Sequence, residues 1–196
     1  MKSAGTALKS PLSSTQTIYF LISCCYFYIT SLVTYDIPFD GGGLLGAIAR
    51  GWTVTGVATL QTGIPLAVTQ QTNFNAFAGF GTQRPNLVGD PEIPSSERSP
   101  ARWFDTTAFA VAPQFTLGSS SRNPVRGPGY RNLDVAFLRR EELGGDWSVE
   151  VRVEIFNLTN TTPFAAPNTV FGNPAFGTIT SAGDPRVVQL GLKLHF

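Results

Sequence analysis

Gln189-Leu190-Gly191-Leu192-Lys193-Leu194-His195-Phe196 ends the chain in an unbroken two-residue alternation. With Val188, the residues Leu190, Leu192, Leu194 and Phe196 fall on one face of an extended strand, and Gln189, Gly191, Lys193 and His195 fall on the other. A chain terminus ordinarily frays in water, yet this one stops on a large apolar ring. The pattern predicts a strand whose apolar face is covered by something other than water.

Earlier segments repeat it. In 146–156, Trp147, Val149, Val151, Val153 and Ile155 alternate with Ser148, Glu150, Arg152 and Glu154, so one face is β-branched and the other charged. Segment 132–138 sets Leu133, Val135 and Phe137 against Asn132, Asp134 and Ala136. Segment 52–61 sets Trp52, Val54, Gly56, Ala58 and Leu60 against Thr53, Thr55, Val57, Thr59 and Gln61, and 31–39 is a poorer candidate. Each is about ten residues long, the length that crosses a bilayer at barrel tilt. A sandwich strand has the same period, so period alone does not decide.

Connection lengths discriminate further. If the last strand descends to the periplasm, the turns at 40–49 and 142–145 lie on that side, and both are short and glycine-rich (Gly41-Gly42-Gly43 and Gly144-Gly145). The connections 63–131 and 158–185 then lie outside, and both are long. Short inner turns and long outer loops are the rule of outer-membrane barrels. Trp52, Trp147 and Phe196 fall at periplasmic strand ends, where an aromatic girdle belongs. The predicted fold is all-β: an antiparallel meander with strands near 31–39, 50–62, 132–142, 146–158 and 186–196. It forms a partial transmembrane β-barrel of about five or six strands with two long outer loops.

Composition permits this. The chain has 196 residues, of which 14% are charged, with 20 Gly, 14 Pro and 15 Phe, which suits strands joined by irregular loops better than helices. A net charge of +1 gives no case for nucleic acid.

At the amino end, Thr17 to Tyr35 carries no charge, which invites a transmembrane helix. Its density of Thr, Ile, Tyr, Phe and Val argues for strand instead. Lys2 and Lys9 precede the run as in a signal peptide, but no A-x-A site succeeds it. Leu21-Ile22-Ser23-Cys24 resembles a lipobox behind a short, polar approach containing Pro11. The adjacent Cys24 and Cys25 make neither a disulfide framework nor a metal cluster. Residues 1–30 are therefore expected to be a non-homologous or mis-started segment, with 31–196 as the barrel portion.

The terminal spacing of Gln189, Gly191, Leu194 and Phe196 resembles the carboxy-terminal signal by which Gram-negative outer-membrane barrels are recognised for insertion. Further in, Tyr35-Asp36-Ile37-Pro38-Phe39, Gly51-Trp52-Thr53-Val54-Thr55-Gly56 and Leu60-Gln61-Thr62-Gly63-Ile64-Pro65 resemble, in order, motifs of TonB-dependent receptors of the Oar-like group. Arg84-Pro85-Asn86, Trp103-Phe104-Asp105-Thr106-Thr107-Ala108-Phe109, Arg122-Asn123-Pro124-Val125-Arg126-Gly127-Pro128-Gly129, Glu154-Ile155-Phe156-Asn157-Leu158-Thr159-Asn160 and Phe176-Gly177-Thr178-Ile179 continue the series, which covers about 31–196. The resemblance implies the carboxy-terminal portion of a plugged barrel of about twenty-two strands. It implies an intact parent in the outer membrane that imports a bulky ligand with energy relayed by TonB. The implied partners are outer-membrane lipid, the barrel assembly machinery, the remaining strands and a plug domain, through which alone TonB would act. Neither plug nor TonB-contacting segment is recognisable in these residues, and five or six strands cannot close a barrel when the smallest have about eight.

Enzyme readings fare badly. His195 is the single histidine, one residue from the end, so a His-based relay or His-rich metal site is not expected, and no cofactor is. Glu150 and Glu154 resemble an acid/base pair, but Arg152 between them, with Lys193 pointing the same way, makes a ladder of compensated lumen-facing charges the better account. Arg122 to Gly129 is read as a turn leading into the barrel rather than an anion site. Asn157 and Asn160 read as the start of an outer loop. Phe74, Phe77, Phe80 and the run Trp103 to Phe109 suit either a hydrophobic or glycan ligand, or packing of a long loop on itself. The alternative function is a secreted or surface-attached β-sandwich that binds glycan or protein.

Overall fold

The computed structural model describes residues 14–23, 26–38, 42–43, 48–79 and 81–196. In chain order the strands are β1 (Ser14–Ser23), β2 (Tyr26–Asp36), β3 (Trp52–Gln61), β4 (Pro65–Leu66), β5 (Thr69–Gln70), β6 (Asn86–Leu87), β7 (Phe109–Ala110), β8 (Val125–Arg126), β9 (Tyr130–Gly144), β10 (Trp147–Phe156), β11 (Val170–Phe171) and β12 (Val187–His195). The six long ones form a single antiparallel sheet in the order β1-β2-β3-β9-β10-β12, the expected meander.

Register settles which side chains share a face. Across β10 and β12, Val149 lies opposite Leu194, Val151 opposite Leu192, Val153 opposite Leu190 and Ile155 opposite Val188. Across β9, Val153 meets Phe137 and Ile155 meets Val135; across β3, Phe137 meets Val54 and Leu133 meets Ala58. Partners in an antiparallel pair point to the same side, so the apolar sets of four strands share one face, which Arg139 and Glu141 of β9 join opposite Val151 and Val149, with Arg139 donating to the Glu141 carboxylate and to the Ile48 carbonyl. Ser148, Glu150, Arg152 and Glu154 join Lys193, Gln189 and the threonines of β3 on the other.

Along β12 that apolar face is uncovered. Leu190 and Leu192 are each 76% exposed, and every buried hydrophobic side chain among the described residues lies in the connections rather than in the six-stranded sheet. A sandwich buries the inner face of each sheet against a second one. Here the remaining sheets are two-stranded and are built from loop residues, so the sandwich alternative is corrected. Left in water, each such leucine forgoes about 1.5–3 kcal/mol of burial; hydrocarbon restores it.

Turn chemistry fixes the ends. Gly145-Asp146 joins β9 to β10, with φ of 104° at Gly144 and 63° at Gly145, a left-handed pair that glycine adopts without a Cβ penalty. Asn157 (φ 52°) and Asn160 (φ 50°) turn the chain out of β10, as asparagine tolerates that region. The inner connections are thus 37–51 and 145–146, and the two long outer ones 62–129 and 157–186, close to the expected division.

The strand expected over 31–39 runs instead from Tyr26 to Asp36, and β1 precedes it, paired from Ser14↔Tyr35 to Ser23↔Tyr26. The strand extends five residues before the expected start because Tyr26 to Thr30 is as aromatic and β-branched as Ser31 to Tyr35. No helix among the described residues is long and apolar enough to cross a membrane. Residues 1–13, 24–25, 39–41, 44–47 and 80 lie outside the described residues, and with them most of the region weighed as a signal peptide or lipobox, the cysteine pair, Phe39 and Phe80.

Candidate functional site

On the polar face, the Arg152 guanidinium sits 3.2 Å from a Glu150 oxygen and 3.5 Å from a Glu154 oxygen. These are neighbours at two-residue spacing along one strand, so the alternation of β10 builds the ladder without help from other elements. Lys193 is opposite Glu150 in the register but makes no ion pair among the described residues. Arg140 extends the charged strip on β9, 3.1 Å from Glu142. The space over Glu150, Arg152, Glu154, Gln189 and Lys193 is an open cleft of about 310 Å³. With the two carboxylates bridged through one cation, opposite charges alternate along this face of β10.

A larger cavity, about 560 Å³, opens where the same face meets the outer loops. Asp134 organises its wall, one carboxylate oxygen accepting the Asn157 N–H at 2.8 Å and the other accepting Asn132 Nδ2 at 2.8 Å. Asn157, itself buried, donates to the Thr161 carbonyl at 2.9 Å and so fixes the outward turn.

On the apolar face, the Trp147 and Phe196 rings lie 5.4 Å apart at the periplasmic edge, and Trp52 Nε1 donates to the Ile48 carbonyl at 2.8 Å. Of the expected insertion residues, Leu194 lies opposite Val149 on this face, whereas Gln189 and Gly191 lie opposite Glu154 and Arg152 on the polar one. A Cβ at Gly191 would meet Arg152 Cβ at 3.6 Å, ordinary contact, so the sheet itself does not demand glycine there.

The two long outer connections fold into one cap. Val68, Phe104, Ala108, Phe109 and Val125 form its buried core, with Phe171 and Phe176 from the second connection packed against them. Phe104 meets Phe176 edge-on at 5.1 Å, and Phe109 meets it at 5.5 Å. Parallel pairing of β5 with β11 and the hydrogen bond from Trp103 N–H to the Gly177 carbonyl at 2.9 Å tie the halves together. For the run Trp103 to Phe109, packing is thus the role observed. Arg122 to Gly129 contains β8 (Val125–Arg126), paired to β4, and leads into β9.

Asp105 caps the short helical turn Thr106–Ala108, its carboxylate accepting from Thr107 Oγ1 at 2.8 Å and Thr107 N–H at 3.1 Å, with Arg102 at 3.8 Å. Those hydrogen bonds, and then the Arg102 charge, hold its pKa below the usual carboxylate value.

Three buried amides escape a reading of the sequence alone. Gln70 Oε1 accepts the Ala112 N–H at 2.8 Å, and Gln83 Nε2 donates to the carbonyl of Thr116 at 2.9 Å. Asn75 accepts the Phe115 N–H at 2.7 Å and donates to the Thr116 carbonyl at 2.6 Å. Together they clamp the 112–116 segment and hold Phe115 at φ 64°, a conformation a bulky residue rarely takes. The one sequence signal is that residues 63–83 carry amides and no charge at all.

Residues 28–189 match the family model described as outer membrane beta barrel domain. No curated protein matches the chain, and no solved structure does. With most of its length covered by that model, the chain belongs to the outer membrane beta barrel domain family, which places it in the outer membrane of a Gram-negative bacterium.

Proposed function

We propose that this chain is the carboxy-terminal part of a TonB-dependent outer-membrane receptor of the Oar-like kind, whose intact form imports a bulky ligand. The observation that supports it most is the cap. Both outer connections condense onto one aromatic core above the polar face, giving a ligand a structured outer surface, rather than fraying as independent loops. The colinear motifs from Tyr35 to Phe196 point the same way. On this reading the Glu150, Arg152, Glu154 and Lys193 strip lines the lumen and faces a plug, the apolar face meets outer-membrane lipid, and the remaining strands pair with the free edge of β12. Gln189, Gly191, Leu194 and Phe196 are read by the barrel assembly machinery. TonB acts only through the plug, and the chain has no catalytic role.

Energy dependence tests the proposal. Cells carrying the full reading frame that contains this chain should deplete compounds from spent medium that a deletion strain leaves, and depletion should stop when a protonophore collapses the inner-membrane gradient. Depletion at an undiminished rate under the protonophore would make it a passive pore.

A further inference from the structure

Resting on the receptor reading, the cap also carries a candidate ligand surface. Phe115 is 80% exposed and Phe77 is 66% exposed, and their rings meet edge-on at 5.7 Å. Loop packing leaves such rings outside only at a cost, and here the buried amide clamp of Gln70, Asn75 and Gln83 works to keep Phe115 there in a strained backbone. Nearby, Phe74, Val111 and Phe171 floor a pocket of about 130 Å³, with Thr72 and the Gln71 side chain at its edge. The Gln71 amide makes no side-chain hydrogen bond among the described residues, so it is available to a ligand.

Two features narrow the occupant. Segments 63–83, 106–121 and 155–183, which supply this surface, contain no Asp, Glu, Lys or Arg, so an ionic ligand would find no counter-charge. The pocket is well below the roughly 300 Å³ that encloses a compact drug-sized ligand, so it takes one ring of something longer. Free amide and hydroxyl groups beside exposed aromatic faces suit hydroxyls and polarised C–H groups of a pyranose, since the ring face is electron-rich.

We propose that the cap binds a neutral oligosaccharide, one sugar ring seated between Phe74, Val111 and Phe171 under the Gln71 amide, and the chain running on across Phe77 and Phe115. The test uses the full-length protein whose reading frame contains this chain, refolded in lauryldimethylamine oxide, a detergent without a sugar headgroup, with folding checked by heat-modifiable mobility. Cellohexaose, maltohexaose and laminarihexaose are titrated calorimetrically beside an oligogalacturonate of the same length. At least one neutral hexamer should bind saturably and more tightly than its dimer, the oligogalacturonate should not, and Gln71→Ala or Phe115→Leu should weaken binding tenfold or more. Phe77→Leu, at a position free of backbone strain, stands in if the Phe115 variant does not fold. No saturable binding of any neutral hexamer by folded protein, binding indifferent to these substitutions, or equal binding of the oligogalacturonate overturns the proposal. Such a failure leaves the receptor reading intact if uptake still needs the energised membrane. Loss of energy dependence with glycan binding retained removes the receptor and keeps the site.

Discussion

Val153 and Leu190 face each other directly across β10 and β12, in an apolar row that Phe137 and Val54 continue, and Leu190 is 76% exposed. In the outer membrane such a position contacts hydrocarbon. Leu190→Arg in the full-length protein should therefore cost about 2–4 kcal/mol of folding stability in bilayers, the penalty for a cation near the midplane of a barrel wall. Lys193→Leu, on the polar face of the same strand, should cost far less. Urea unfolding in vesicles, followed by tryptophan fluorescence, measures both, and equal costs would mean the faces are assigned wrongly.

The charge ladder should behave differently. Arg152 is half exposed, and exposed pairs are worth roughly 0–1 kcal/mol, so Arg152→Gln should lower stability only within that range. Arg152→Glu instead sets three carboxylates in a row at two-residue spacing, and its larger loss should shrink as salt is raised, because screening relieves like-charge repulsion. A loss insensitive to salt would point to packing, not charge.

Asn75→Ala removes a buried side chain that holds both the Phe115 N–H and the Thr116 carbonyl. Leaving those backbone groups unpaired should destabilise the cap by about 2 kcal/mol or more. It should also release Phe115 from its left-handed backbone. Faster amide exchange over 112–117, with exchange in β9 and β10 unchanged, is the expected signature.

The range of each interaction decides how legible it is in the sequence. The pairing of Val149 with Leu194 and Val153 with Leu190 is a matter of period two repeated in separate strands, so alternation alone predicts the shared face. The amide clamp joins Asn75 to Phe115 and Gln70 to Ala112 across some forty residues, and no local pattern announces such a meeting. β1 is hidden for a second reason. Its residues carry no charge to mark a polar face, so the segment reads as part of an unrelated amino-terminal run. Gly118, at φ 77°, belongs to no repeating pattern. A Cβ there would run into the Arg84 carbonyl oxygen, a close approach visible only once the cap is folded.

Acid should loosen the cap at Asp105. Its folded pKa lies below the usual value, so its contribution is fully present above the unfolded pKa of about 4 and is lost as pH falls through the folded one. Asp105→Asn should flatten the pH dependence of cap stability in that acidic window by lowering stability at neutral pH toward its acid value. Fluorescence of Trp103, which donates to the Arg126 carbonyl at 2.8 Å, reports the transition. An identical acid profile in the variant would assign the loosening to other carboxylates.

Phe196 stacks on Trp147 at the edge where the apolar band meets the periplasmic interface, and the two rings are 5.4 Å apart. Aromatic rings at that depth anchor a strand end, whereas a carboxylate there must be drawn toward lipid. Phe196→Asp in the full-length protein should therefore lower the folded amount in the outer membrane, with the packing of the cap in the inserted fraction little changed, since the cap is at the opposite end of the strands. Gly191→Ala separates recognition from stability. The sheet has room for that Cβ beside Arg152, so unfolding in vesicles should be unaffected, and any drop in membrane yield comes from the assembly step. Heat-modifiable mobility on a gel measures the folded fraction in both cases. Wild-type yield for Phe196→Asp would remove the terminal ring from any role in insertion.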